Sequence, residues 1–150
     1  MKRFHMLILL LFVALTPGVS ATDKDAGEGD LAKLQGQWVV VSLEHRGHPA
    51  EPADFEGQSS VYEKNRWTWK VGDKVMRRGI ITLDSTRSPK AINTWDSDGP
   101  HEDETVPGIY QLDGDTLKLC FAMPGEKRPT EFTTKSGTGA FVVVYKRKKT

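Results

Sequence analysis

The chain has 150 residues with a nearly balanced charge, 21 basic against 20 acidic residues, and one cysteine. A nucleic-acid binder carries a basic excess on one face, so this composition argues against nucleic acid as a partner. One cysteine excludes an internal disulfide, and the stability must therefore come from a hydrophobic core.

The first 21 residues have the composition of a signal peptide. Lys2 and Arg3 form a basic start, residues 6–15 are almost entirely apolar, and residues 19–21 end in the small side chains that signal peptidase accepts. An apolar run of about ten residues is too short to cross a bilayer, which needs about 20. We therefore expect cleavage of residues 1–21, export to the periplasm or the cell exterior, and no membrane span in the mature chain.

A short polar stretch precedes the folded part of the chain. Residues 22–29 are small, charged and rich in glycine, which is typical of a flexible leader. No second linker and no internal repeat interrupt the remainder, so we expect one domain over residues 30–150.

A helical turn followed by a strand opens this domain. Asp30 can cap one turn of helix in which Leu31 and Leu34 share a face. Gly36 then frees the backbone, and Trp38 begins a β-branched run that is typical of a strand.

The rest of the chain alternates between short strand-like runs and turn residues. We predict strands near residues 38–44, 58–63, 66–71, 74–83, 91–95, 108–112, 116–121, 131–134 and 140–146. Residues 64–65, 72–73 and 113–115 can supply the positive φ angles of tight hairpins. Neighbouring strands should therefore pair antiparallel, with longer loops at residues 47–55 and 97–104.

The apolar pattern indicates how these strands assemble. Trp67, Trp69 and Val71 share one face of their strand, whereas the first and last strands are apolar on both faces. Such end strands fit the place where a sheet closes on itself. We predict an all-β fold, a single small antiparallel β-barrel of about eight or nine strands, with a two-sheet β-sandwich as the alternative.

The start of the first strand resembles a known signature. Gly36-Gln37-Trp38 is similar to the Gly-x-Trp motif of the lipocalin and calycin barrels. The resemblance implies that Trp38 closes one end of the barrel and that a basic residue of the last strand, Arg147 or its neighbour Lys146, lies across the indole. A cation over an indole contributes roughly 0.5 to 2 kcal/mol.

A longer resemblance covers nearly the whole mature chain. Residues 34–38, 90–92, 98–100, 108–121 and 128–132 resemble a family of small lipocalin-like domains abundant in planctomycete bacteria. That family has no established activity, so the resemblance implies a barrel and a bacterial exported setting but no catalytic residue.

The residues suited to catalysis or metal binding form no recognisable motif. Neither a Gly-x-Ser-x-Gly elbow nor a Ser-x-x-Lys pair is present, and Cys120 between two apolar residues is typical of a structural thiol. His45, His48 and His101 lie in predicted loops without an orienting partner, and residues 96–104 lack the ligand spacing of a calcium loop. We predict no enzymatic activity, no metal and no cofactor.

Two functional classes remain for an exported barrel. The first is a carrier that holds a small apolar or amphipathic molecule between aromatic side chains. The candidate lining residues are Tyr62, Trp67, Trp69, Tyr110 and Phe132. The second is a packed barrel that binds an envelope protein, with Trp95 as an exposed anchor. In either case we expect a monomer.

Overall fold

The computed structural model describes residues 22–100, 102–135 and 137–150, so the predicted signal peptide and His101 lie outside it. The described residues form the helices α1 (Thr22–Leu34) and α2 (Pro52–Phe55). Their strands are β1 (Gly36–His45), β2 (His48–Pro49), β3 (Gln58–Glu63), β4 (Arg66–Val71), β5 (Lys74–Asp84), β6 (Lys90–Asp96), β7 (Thr105–Asp113), β8 (Thr116–Phe121) and β9 (Phe141–Arg147). None of the helices in this part of the chain is long and apolar enough to cross a membrane.

Eight of these strands form a closed antiparallel barrel. Each strand from β3 to β8 pairs with the strand that follows it, and β1 pairs with β3. The strand β1 also pairs with β9, from Trp38 opposite Arg147 to His45 opposite Phe141. The two-residue β2 is an extra strand on β1. The closure confirms the predicted barrel and explains why both end strands are apolar on two faces. It also excludes the two-sheet sandwich.

Tight turns fix the register of consecutive strands. Lys64, Gly72 and Gly114 have φ angles of 56°, 57° and 56°, at the three hairpin positions predicted from the sequence. Because side chains alternate between faces along a strand, these registers decide which residues point into the barrel.

The core fills the barrel from the end that α1 covers, which we call the closed end. It consists of Leu34, Trp38, Val40, Tyr62, Ile81, Ile92, Tyr110, Leu117, Leu119, Phe121, Val143 and Tyr145. Burying a large apolar side chain contributes about 1.5–3 kcal/mol, so this set is the main source of stability. We call the opposite end, with the β4–β5 turn and residues 97–100, the far end.

A second, smaller cluster lies on the outer wall. Ile109, Cys120 and Val142 occupy neighbouring positions on β7, β8 and β9 and alternate with the core residues of those strands. Phe132 packs against them from the irregular stretch between β8 and β9, whose described residues 122–135 and 137–140 we call the outer segment. The outer segment therefore covers one wall of the barrel.

The first helix differs from the prediction. It begins at Thr22, so the predicted flexible leader 22–29 is helical, and Asp30 lies inside the helix instead of capping it. A Cβ atom at Gly27 would come within 2.8 Å of the Leu83 carbonyl oxygen. The absence of a side chain at Gly27 thus lets α1 approach β5 closely.

The predicted strand over residues 131–134 is wrong, because this part of the outer segment makes side-chain contacts instead of a ladder. The Thr134 hydroxyl donates to Glu44, and it accepts from the Gly47 backbone N–H at 2.7 Å. The predicted long loop over residues 47–55 contains β2 and α2.

Candidate functional site

Trp38 and Arg147 meet at the closed end. The Trp38 ring is fully buried, its Nε1 donates to the Leu34 carbonyl at 2.7 Å, and the Arg147 guanidinium carbon lies 4.2 Å from the ring centroid. Arg147 also donates to the carbonyls of Lys33 (2.6 Å) and Gln35 (2.7 Å), at the end of α1. Helix carbonyls at this position lack partners within the helix. The positions of Trp38 and Arg147 are those that the Gly-x-Trp resemblance implies, and Gly36 is the first residue of β1.

A buried carboxylate joins α1 to the barrel wall. Asp30 accepts hydrogen bonds from Lys90 Nζ at 2.6 Å and from the Tyr110 hydroxyl at 2.8 Å. Burial disfavours the charged carboxylate, but these bonds and the nearby Lys90 charge outweigh it, so the pKa of Asp30 lies below its ordinary value. The pKa of Tyr110 is raised by burial and by this carboxylate, so the phenol keeps its proton and remains a donor.

Two further phenols lie inside the barrel. Tyr145 and Ser60 have hydroxyl oxygens 3.2 Å apart, and burial raises the pKa values of Tyr145 and Tyr62. Both phenols therefore stay neutral near pH 7. They are part of the packed core, and this half of the barrel is filled by side chains.

The indole N–H of Trp67 differs from the polar groups described so far. Its Nε1 is buried and has no hydrogen-bond partner, the one such side-chain atom among the described residues. Trp67 lies opposite Tyr62 on one side and Gly79 on the other, and Gly79 lies opposite Asp96. A Cβ atom at Gly79 would come within 2.7 Å of this Nε1, so the glycine makes room for the ring. A buried donor without a partner costs about 1–3 kcal/mol.

An ion pair lies beside this indole, toward the far end. Asp96 is buried, and Arg77 Nη1 lies 3.3 Å from its carboxylate oxygen. Arg77 lies opposite Trp69, which is half-buried. On its other side, Trp69 lies opposite Ser60 of β3. An aromatic ring, a cation and a donor without a partner thus converge in adjacent rows of the barrel interior.

The five predicted ligand-lining residues do not form one group. Tyr62 and Tyr110 belong to the core cluster, Trp67 packs against this cluster, and Trp69 shares the interior face of β4 with Trp67. Phe132 lies on the outer wall against Ile109, Cys120 and Val142.

Sequence reasoning missed Arg77 and Asp96. Asp96 is the last residue of β6 and lies outside the strand predicted over residues 91–95, although Ile92, Thr94 and Asp96 follow the same alternation and all point inward. This alternation was a usable signal. The partner of Asp96 depends on the pairing of β5 with β6, which composition does not reveal.

Two of the histidines lie on neighbouring strands. His45 and His48 pair across β1 and β2 and are exposed. In the described ranges, no group of three or more His, Cys, Asp or Glu residues is placed to hold a metal ion.

Two cavities lie beside the outer segment, outside the barrel interior. Their volumes are about 360 and 190 Å³, and Pro129 and Thr130 line both. None of the five predicted aromatic residues lines either cavity.

Comparisons with known proteins give no relative. A scan against protein-family models and searches of the curated proteins and the solved structures found no match to this chain.

Proposed function

We propose that this chain is an exported, non-catalytic binding protein whose barrel holds a small amphipathic molecule near Trp67 and Trp69. The observation that carries the proposal is the buried Trp67 Nε1 without a partner. A carboxylate, hydroxyl or carbonyl oxygen of a ligand would satisfy this donor. That interaction would recover the cost of burying it.

The neighbouring side chains define the chemistry of such a ligand. The rings of Trp67 and Trp69 offer apolar surface, and Arg77, which lies nearer to the far end, offers a cation. Because Asp96 already pairs with Arg77, the local charge is close to neutral and does not demand a highly charged molecule. We expect an apolar body with one polar acceptor group.

Native mass spectrometry tests this proposal. The full chain is expressed with its own leader in a bacterial periplasm, purified without detergent and compared with a denatured extract. We expect a stoichiometric small-molecule adduct that raises the melting temperature when it is added back, because a ligand that binds only the folded state stabilises it. A bare mass, with no stabilisation by decanoate or decanol, would contradict the carrier function.

A matched pair of variants locates the adduct. Trp67→Phe removes the indole N–H and keeps an aromatic ring, and we expect it to lose the adduct. Trp95→Phe makes the same change on the outer wall, where Trp95 lies opposite Ile80, and should retain the adduct.

A second candidate function, an extracytoplasmic interaction module, has its own supporting observation. Ile80 is 42% exposed on the outer wall next to the half-buried Trp95. In that case Ile80→Lys should release the protein from the envelope fraction of its host. Val41→Lys, at a site 45% exposed on β1, is the matched control and should not.

A further inference from the structure

The larger cavity lies between the β5–β6 connection and the outer segment. Its volume is about 360 Å³, within the range of small-molecule sites. Pro89, Ile109 and Pro129 supply an apolar lining, and the other lining side chains are polar. The cavity therefore offers both apolar contact and specific polar groups.

Arg128 forms one wall of this cavity and is held rigidly. Its Nη1 donates to the carbonyls of Ile92 (2.8 Å) and Gly108 (2.7 Å), and its Nη2 donates to the Asn93 side chain at 2.7 Å. These acceptors are neutral, and the guanidinium forms no ion pair with a carboxylate in the described part of the chain. A guanidinium has five N–H donors, so it keeps donors for a further acceptor.

The charge around Arg128 is positive overall. Arg87 also lines the cavity and pairs with Asp84, its Nε lying 3.2 Å from the carboxylate. Two guanidinium groups thus line the cavity, and only that of Arg87 forms an ion pair with another described residue. Burial and the nearby Arg87 charge lower the pKa of Arg128, whereas the charge of Asp84 acts in the opposite direction.

Two hydroxyl groups complete the lining. Ser88 belongs to the β5–β6 connection and Thr130 to the outer segment, and both line the cavity. Hydroxyl and guanidinium donors beside an unbalanced positive charge are suited to an oxyanion.

We propose that this cavity binds the oxyanion, carboxylate or phosphate, of a small molecule whose apolar body lies against Pro89, Ile109 and Pro129. Arg128 and Arg87 bind the anion, and the hydroxyls of Ser88 and Thr130 orient it. The site is separate from the barrel interior and does not depend on the proposed function, because it shares no residue with the Trp67 region.

The test is a titration of the ¹⁵N-labelled full chain, expressed with its own leader, followed by NMR. The probes are hexanoate, hexanol and inorganic phosphate, and the signals are the Arg128 Nε–H and the backbone amides of Ile109 and Thr130. Saturable shifts with hexanoate but not hexanol support the site and assign a carboxylate with an apolar tail. Shifts with phosphate alone support an oxyanion site for free phosphate. Equal shifts with hexanol, or no shift at these residues with any probe, overturn the proposal.

Substitutions separate binding from folding. Arg87→Met leaves the hydrogen bonds of Arg128 intact and should weaken binding of the effective anion about fivefold, the upper range for an exposed charge pair. Arg128→Lys keeps the charge but loses the planar set of guanidinium N–H donors, and it should weaken binding about tenfold or more. Arg66→Met, an exposed arginine on β4, is the control and should leave the affinity unchanged. Unchanged affinity in Arg87→Met and Arg128→Lys would also overturn the proposal.

Discussion

Arg147 combines two interactions that a lysine cannot reproduce together. It lies over Trp38 and bridges the carbonyls of Lys33 and Gln35 with separate N–H groups. We expect Arg147→Lys to lower the free energy of unfolding by about 1–3 kcal/mol, because one hydrogen bond from the charged guanidinium to a backbone carbonyl is lost. Urea denaturation at pH 7 measures this, with Arg66→Lys as the exposed control. Equal urea midpoints for Arg147→Lys and the unchanged chain would show that the closed end does not need the guanidinium group.

Asp30 should make the stability depend on pH. Its pKa is lower in the folded chain than in the unfolded chain, so its contribution is complete above the unfolded value of about 3.9 and is lost as the pH falls through the folded value. We expect Asp30→Asn to cost about 1–3 kcal/mol at pH 7, since Lys90 and Tyr110 lose a charged acceptor.

Urea denaturation between pH 7 and pH 3 tests this dependence. The difference between Asp30→Asn and the unchanged chain should be constant above about pH 5 and shrink below about pH 4. Asp113→Asn, at an exposed turn position, is the control. A difference that widens with falling pH would contradict the assigned charge.

At the scale of elements, the outer segment protects the thiol of Cys120. The thiol is fully buried beneath Phe132, and burial raises its pKa, so both access and thiolate content are low. We expect Phe132→Ala to increase the rate of iodoacetamide labelling about tenfold or more, because the outer segment loses its apolar contact. Glu131→Ala, at the exposed neighbour, should label as slowly as the unchanged chain. A slow rate in Phe132→Ala would show that Phe132 does not hold this segment.

The strands and hairpins could be predicted because their signals are local. Alternation placed Trp67 and Trp69 on one face, and turn residues such as Gly114 marked the hairpins. The prediction of a strand at residues 131–134 was wrong because the structure of this stretch depends on contacts with distant residues. Phe132 and Thr134 have strand-like propensity, but their contacts with β1 and the outer wall come from distant parts of the chain.

At the scale of the whole molecule, closure of the sheet determines the candidate site. The registers of β4 with β5 and of β5 with β6 bring Trp67, Gly79 and Asp96 into one row, and the pairing of β1 with β9 closes the barrel around them. The sequence could predict that Trp67 faces the interior, but it could not show that the indole N–H lacks an acceptor. That property depends on the positions of every neighbouring side chain, as does the ion pair of Asp96 with Arg77.

The indole N–H signals of the four tryptophans test the carrier account most directly. In a ¹⁵N-labelled sample titrated with decanoate and decanol, we predict a saturable downfield shift of the Trp67 signal, which Trp67→Phe identifies by its absence. The Trp38 signal should not move, because its N–H already donates to the Leu34 carbonyl. A Trp67 signal that stays unchanged with both probes, in a protein whose native mass shows no adduct, would contradict the account.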